Sequence, residues 1–163
     1  EVTLFPLVKP ELTQEELEQR KKQKTMAAQA VILDDGNQPM WSLLNTAAHL
    51  SASFAEREGK KLFEIPESKT TDGEVIPMNI RHAIMMKQAS TAKELLKLKR
   101  KADEAELLVT CFTKEMRDSS DDKTVQKKQE KKSADQIEFL GVLIYGPIKQ
   151  VKKLTEEFEL FGE

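Results

Sequence analysis

The stretch NIRHAIMMKQASTAKELLKLKRKADEAELLVTCFTKEMR, residues 79–117, carries the strongest pattern in the sequence. It contains no glycine or proline, and Asn79 can cap its start. Its apolar residues recur at steps of three and four, which is the a/d spacing of a helix that packs along another helix. At about 1.5 Å per residue, such a helix is longer than a domain of this size is wide. The sequence therefore predicts one long central helix.

Toward the amino terminus, two further helices are expected. Thr13 and Glu16 form a capping box, which predicts a helix from there to about Leu33. Pro39 suits the first turn of a second helix, and Gly59 suits its end. Residues 60–77 change character, because short apolar runs flank a polar turn, and a short β-hairpin fits them. Residues 1–12 hold two prolines among apolar residues and are expected to form an extended arm.

Toward the carboxyl terminus, residues 118–132 are almost entirely polar and predict a linker or loop. Residues 136–145 fit either a strand or a helix, and a helix is favoured because no strand partner is evident. Apolar spacing after Pro147 predicts a last helix. The expected fold is therefore mostly α: an irregular helical bundle with a helical domain at 13–117 and a helical segment at 133–163. That segment would pack on the domain or on a partner.

Composition excludes several classes of protein. The 163 residues carry a net charge of −2, so neutralising a nucleic-acid backbone is not the expected main task. Cys111 is the single cysteine, which excludes an internal disulfide and favours a reducing, intracellular compartment. No apolar run reaches the roughly 20 residues of a membrane helix, so no membrane partner is expected.

The sequence shows no motif for catalysis, a cofactor or a metal. With six glycines, it has neither a P-loop nor a dinucleotide-binding fingerprint. His49 and His82 stand outside any paired metal or catalytic spacing. The expectation is a non-enzymatic protein without a cofactor, a metal or an evident small-molecule substrate.

The apolar seam of the long helix suggests protein–protein contact as the function. The hypothesis is a helical assembly or adaptor subunit that buries this seam against a protein partner or a second copy. The residues expected at the interface are Leu95, Leu98, Ala102, Ala105, Val109, Phe112, Met116, Phe158 and Phe161.

Nucleic-acid binding through basic helix faces is the alternative. Clusters of lysine and arginine can contact phosphates, although acidic residues lie close to each cluster. The residues concerned are Arg20, Lys21, Lys22, Lys24, Lys97, Lys99, Arg100 and Lys101.

Overall fold

A five-stranded mixed sheet with helices on both faces forms the centre of the protein in the computed structural model, which describes residues 13–63, 65–80 and 82–163. The arm expected at residues 1–12 lies outside the described residues. In chain order the helices and strands are α1 (Gln14–Gln23), β1 (Met26–Leu33), α2 (Met40–Glu58), β2 (Glu67–Lys69), β3 (Val75–Pro77), β4 (Ile84–Ala89), α3 (Ala92–Glu104), β5 (Leu108–Thr113), α4 (Lys114–Arg117), α5 (Asp122–Gln129), β6 (Phe139–Pro147), α6 (Ile148–Thr155) and β7 (Glu159–Leu160). Short 3₁₀ turns occupy Gly59–Leu62 and Ala134–Gln136.

The strand order of the sheet is β5-β6-β1-β4-β7. β1 runs parallel to β4 and antiparallel to β6, while β5 and β7 pair antiparallel at the two edges. β1 and β6 are the most buried strands, and both are nearly continuous apolar runs. Such runs are typical of strands that are covered on both faces. The fold is therefore mixed α/β, and the expectation of a helical bundle was wrong.

The two faces of the sheet are covered by different helices. α2 packs over β1, β5 and β6 on one face, while α3 and α6 cover the other. α2 approaches β6 closely at Gly141, where a Cβ atom would lie 2.6 Å from Thr46 Cγ2 and 2.8 Å from Leu50 Cδ1. Gly141 is therefore the residue that lets α2 settle on the sheet.

The long helix predicted for residues 79–117 is instead strand β4, helix α3, strand β5 and the single turn α4. α3 begins at a capping box in which Thr91 Oγ1 accepts from Glu94 N at 3.3 Å. It ends in a Schellman motif, because Leu107 N donates to Ala102 O and Glu106 N donates to Asp103 O. Glu106 takes the left-handed conformation there, with φ of 55°. Glycine usually fills this position, so no residue in the sequence marks the end of this helix.

Two other segments expected to be helical contain strands. The Thr13 capping box is present, with Thr13 N donating to Glu16 Oε2 at 2.8 Å, but α1 ends at Gln23 and β1 follows. Residues 136–145, for which a helix was favoured, form most of β6. Their strand partners are β1 and β5, which are distant in sequence. An apolar run of this length does not reveal its conformation by periodicity alone.

Other local predictions were confirmed. α2 starts after Pro39 and ends at Gly59. The hairpin expected within residues 60–77 is present as the antiparallel pair β2 and β3. The linker or loop expected at residues 118–132 was a wrong prediction, because most of that stretch forms the short helix α5, which is capped by Asp121 and anchored by the buried Val125. No helix in the described part of the chain is both long and apolar enough to cross a membrane.

Candidate functional site: the crevice at the carboxyl ends of β1 and β4

Two adjacent parallel strands end side by side, and the helices that follow them leave on opposite faces of the sheet. β1 leads into α2, and β4 leads into α3. In open α/β sheets, ligands bind in the crevice outside the carboxyl ends of strands at such a switch point. This fold has a cavity of about 650 Å³ at that place. We call it the β1–β4 crevice; its walls are Leu33, residues 35 and 37–39, Trp41, residues 90–92, Lys114, Arg117, Asp118, Glu138 and Leu140.

Arg117 is the least exposed of the charged side chains that line the crevice. It is 16% exposed, whereas Lys114, Asp118 and Glu138 are 45%, 47% and 58% exposed. Its Nη1 atom lies 3.3 Å from both Gln38 Oε1 and Ser42 Oγ. These contacts tie the end of α4 to the start of α2 and hold the guanidinium in one place. Charge fixed in this way costs less side-chain entropy when a ligand binds.

The Arg117 side chain also contacts an acid and an aromatic ring. Its Nε donates to Asp118 Oδ1 at 2.8 Å, and its Cζ lies 6.0 Å from the centre of the Trp41 ring. The hydrogen bond from Arg117 lowers the pKa of the Asp118 carboxyl, so this acid stays ionised at neutral pH. Within the described residues, Nη2 of Arg117 makes no hydrogen bond. One donor of the fixed guanidinium therefore remains for a ligand.

The amino terminus of α2 opens into the same crevice without a side-chain cap. Pro39 is the N-cap, and no capping hydrogen bond from a side chain is present among the described residues. Ser42 N and Leu43 N donate to Pro39 O at 2.9 and 3.3 Å, and the first turn holds no acid. The first backbone N–H groups of a helix lack helical partners, and they carry partial positive charge. An anionic group is the natural partner for this end of α2.

The amino terminus of α3 is different, although it borders the same crevice. Glu94 Oε2 accepts from Thr91 N at 2.8 Å and from Ser90 N at 3.0 Å. The α3 terminus is therefore already neutralised by its own carboxylate. The two helix starts divide the crevice into a capped side near Thr91 and an uncapped side near Trp41 and Arg117.

Comparison with known proteins places the chain in a family. Residues 28–161 match the model of a family described as a protein of unknown function, DUF2000. The chain belongs to the DUF2000 family. No curated protein matches it. The solved structure of a protein of unknown function from Agrobacterium tumefaciens strain C58 has a TM-score of 0.73 and 17% identity; the alignment covers 85% of this chain and 98% of that one. At this identity the likeness supports the α/β fold alone.

The residues expected at a protein interface lie mainly in the core of this DUF2000 domain. Leu95, Leu98 and Ala102 form the inner face of α3, and Phe112 of β5 is buried with them. Val109 and Met116 are partly buried against the same cluster. Phe158 is buried and Phe161 half-buried, while Ala105 is exposed at the end of α3. Most of these residues are therefore packed in the core of their own chain. They lie on α3, β5 and α4, and so they do not form one continuous helix face.

The basic residues of α3 are accompanied by acids. Lys99 pairs with Asp103 one turn on, and Arg100 lies 3.5 Å from Asp135. Lys97 and Lys101 both approach Glu157 at 3.9 Å. Lys21, Lys22 and Lys24 are exposed in and after α1, and the side chain of Arg20 lies outside the described residues. Nucleic-acid contact by these residues stays a prediction, with less free positive charge on α3 than the sequence suggested.

Neither the histidines nor the cysteine belongs to the crevice. His49 stacks on Phe112 with 4.6 Å between ring centres, and His82 meets the edge of Tyr145 at 5.8 Å. Burial raises the pKa of the Cys111 thiol to about 11, so little reactive thiolate is present at neutral pH. Among the described residues, no three histidine, cysteine or acidic side chains come together as a metal site would require.

A second cavity of about 440 Å³ lies beside the amino end of β1. Met26, Leu107 and Leu108 contribute apolar walls, and Glu58 and Glu106 lie at its margin. It lacks the fixed cation and the uncapped helix start that mark the β1–β4 crevice. The crevice is therefore the stronger candidate for a site.

Proposed function

We propose that this DUF2000 domain binds a small organic molecule with one anionic group, a carboxylate or a phosphate, in the β1–β4 crevice. The anionic group contacts Arg117 and the amino terminus of α2. The body of the ligand packs against Trp41, whose flat indole ring suits a planar or apolar group. The sequence alone gave no indication of such a ligand, because the two halves of the site are far apart in the chain.

The fixed guanidinium of Arg117 is the observation that carries this proposal. It is held by Gln38 and Ser42 beside an uncapped helix start, so two sources of positive potential act on one point. Three carboxylates on the crevice wall, those of Asp35, Asp118 and Glu138, oppose this potential, but all three are exposed. Exposed charges are screened by water, so they weaken the attraction at the inner end of the crevice only modestly.

The chain offers a direct readout, because Trp41 is its single tryptophan. Phenyl phosphate and benzoate are suitable probes, with benzyl alcohol and benzamidine as neutral and cationic controls of similar shape. We expect the two anions to change the fluorescence of Trp41 saturably and to bind more tightly than either control. Equal binding of all four probes, or no binding of the anions, would contradict the proposal.

Two single-residue variants test whether Arg117 contacts the anionic group of the ligand. Arg117→Ala is expected to weaken binding of phenyl phosphate about tenfold or more, because a charge-assisted hydrogen bond contributes about 1.5–3 kcal/mol. Lys149→Ala removes an exposed lysine from α6, away from the crevice, and should leave binding unchanged. If both variants lowered the affinity equally, the effect would reflect net charge, and the crevice would not be the site.

A further inference from the structure

The outer face of α2 is apolar, although it lies at the protein surface. Charged residues make up 33% of the chain, but residues 36–55 contain none. Met40, Trp41 and Leu44 are 62%, 61% and 62% exposed, and Ala48 and Ala52 continue the exposed face. A helix that covers a sheet and meets water normally carries polar residues outward. An exposed apolar surface of this kind is typical of a contact with another molecule.

We infer that a second copy of this chain covers it, with two α2 helices crossing antiparallel about a two-fold axis at Ala48. In a two-fold interface each patch meets its own copy. A charged patch would therefore face like charge, while the uncharged patch around Ala48 meets no repulsion. Partners recognised by ion pairs would find no charged group on residues 40–55 to bind.

An antiparallel register about Ala48 pairs large side chains with small ones. Leu44 of one copy falls opposite Ala52 of the other on each side of the axis. The small residue at the centre lets the two helices approach closely, as the seams of packed helices require. The stripe that results follows the heptad-like spacing 41, 44, 48, 52, 55.

The surface beside α2 has room for the large side chains of the second copy. A cavity of about 460 Å³ runs along the carboxyl-terminal half of the helix, between Ala52 and Ala55 on one side and Phe63 and Ile80 on the other. The protruding Met40 and Leu44 stand on the amino-terminal half, while Trp41 lines the β1–β4 crevice. An antiparallel crossing brings the protruding half of each copy to the cavity of the other.

The charges at the two ends of α2 also favour this arrangement. The charged residues of the helix are confined to its last three positions, where Glu56 is exposed. In the antiparallel register the charged carboxyl-terminal ends of the two helices lie at opposite ends of the contact. A parallel crossing would instead bring the two acidic ends together.

The surface area of α2 alone is too small for a stable interface, so the wall of the neighbouring cavity must also be buried in the contact. A helix of 19 residues is about 28 Å long and about 10–12 Å wide, which gives roughly 300 Å² per copy. A standard interface buries about 800 Å² on each partner. The residues around Phe63 and Ile80 supply further apolar surface on the same side.

Light scattering and sedimentation on the full chain test the proposal, between about 1 µM and about 1 mM protein. We expect a species of twice the 18.6 kDa chain mass at the upper concentrations. Ala48→Glu places two carboxylates on the axis and is expected to give a folded monomer, and Leu44→Asp should do the same. The matched change Ala134→Glu, at another exposed alanine, should leave the dimer intact.

A cysteine placed on the axis tests the register. In a Cys111→Ser background, Ala48→Cys should oxidise to a disulfide-linked dimer, because equivalent residues on a two-fold axis come within disulfide distance. Ala134→Cys in the same background should stay monomeric under the same oxidation. A chain that remains monomeric at about 1 mM, a dimer unaffected by both Ala48→Glu and Leu44→Asp, or a failure of Ala48→Cys to cross-link would each overturn the proposal.

Discussion

α2 and α3 cover opposite faces of one sheet with similar inner surfaces, but their outer surfaces differ completely. Leu43, Leu50 and Phe54 face inward from α2, as Leu95 and Leu98 do from α3. Eight of the 13 residues of α3 are charged, whereas the charges of α2 are the last three of its 19 residues. The inner faces explain how both helices fold onto the sheet. The charged outer face of α3 is typical of a helix that meets water, whereas the apolar outer face of α2 is the one for which we infer a contact with a second copy.

We expect the largest difference in stability between a substitution on the inner face of α3 and the same substitution on the outer face of α2. Leu98→Asp places a carboxylate at a position that is 1% exposed, and it should cost on the order of 4 kcal/mol or more of unfolding free energy. The same change at the exposed Leu44 should alter the stability of the monomer by about 0.5 kcal/mol or less. Denaturant unfolding of both variants, at a concentration where each is monomeric, measures the difference. Equal losses would mean that the outer face of α2 is part of the core.

A smaller effect should appear where α2 touches the sheet. Gly141→Ala would place a methyl group against Thr46 and Leu50, and we expect a loss of about 1–3 kcal/mol from overpacking. Gly146→Ala meets a single flexible side chain, with Leu107 Cδ2 at 2.5 Å, which can move aside more easily. Thermal unfolding of the two variants should therefore rank Gly141→Ala as the more damaging. The reverse order would show that α2 tolerates displacement from β6.

The last comparison concerns two charged pairs, an exposed pair on α3 and the pair of the buried Glu115 in α4 with Lys132 after α5. Lys99→Met removes an exposed pair with Asp103 and should change the unfolding free energy by about 0.5 kcal/mol or less. Lys132→Met removes the partner of the buried Glu115 and should cost about 1–3 kcal/mol at pH 7. Guanidinium unfolding at equal ionic strength compares the two.

The Glu115 pair should also depend on pH. Burial by itself would raise the pKa of Glu115, but the hydrogen bond and charge of Lys132, together with hydrogen bonds from the backbone and Thr113, outweigh it, so the pKa lies below its ordinary value of 4.5. The contribution of the pair is therefore complete above that ordinary value, and it is lost as the pH falls through the lowered pKa. The difference between Lys132→Met and the natural chain should shrink at acid pH. A difference that is the same at pH 7 and about pH 3 would show that Glu115 is not ionised in the folded protein.

Local signals in the sequence predicted several element boundaries correctly. The capping box at Thr13 and Glu16 starts α1, and Pro39 and Gly59 bracket α2. These features work through hydrogen bonds and dihedral angles of neighbouring residues, so they can be read without knowing the fold. The hairpin of β2 and β3 was found for the same reason, because its turn lies between its own strands.

The long helix was predicted wrongly because local and global signals disagreed. Thr91 and Glu94 repeat the capping pattern of Thr13 and Glu16, but they lie inside an uninterrupted apolar spacing that favoured a single helix. α3 ends at Glu104, and just beyond it the non-glycine residue Glu106 takes a left-handed conformation that nothing in the sequence indicates. After this break the same apolar spacing continues into β5, so Val109 and Phe112 face the core from a strand.

The candidate site could not be found from the sequence for a related reason. Trp41 lies at the start of the predicted helix α2, but the sequence predicts a helix in place of the preceding strand β1, so it does not indicate the strand–turn–helix arrangement of a crevice. Arg117 lies at the end of α4, and its partners Gln38 and Ser42 are more than 70 residues away. A site assembled at a strand edge depends on which strands are adjacent, and that order is fixed by β6 inserting between β5 and β1.

The sequence by itself determined where α2 begins and ends, which residues are apolar, and the absence of charge from residues 36–55. It did so because caps, hydropathy and charge act over a few residues. The tertiary structure decided which apolar runs became strands, which helix faces were covered, and that Arg117 meets Trp41. Those outcomes depend on the pairing of β1 with β4 and β6, which lie far apart along the chain, and short apolar runs gain their conformation from such partners.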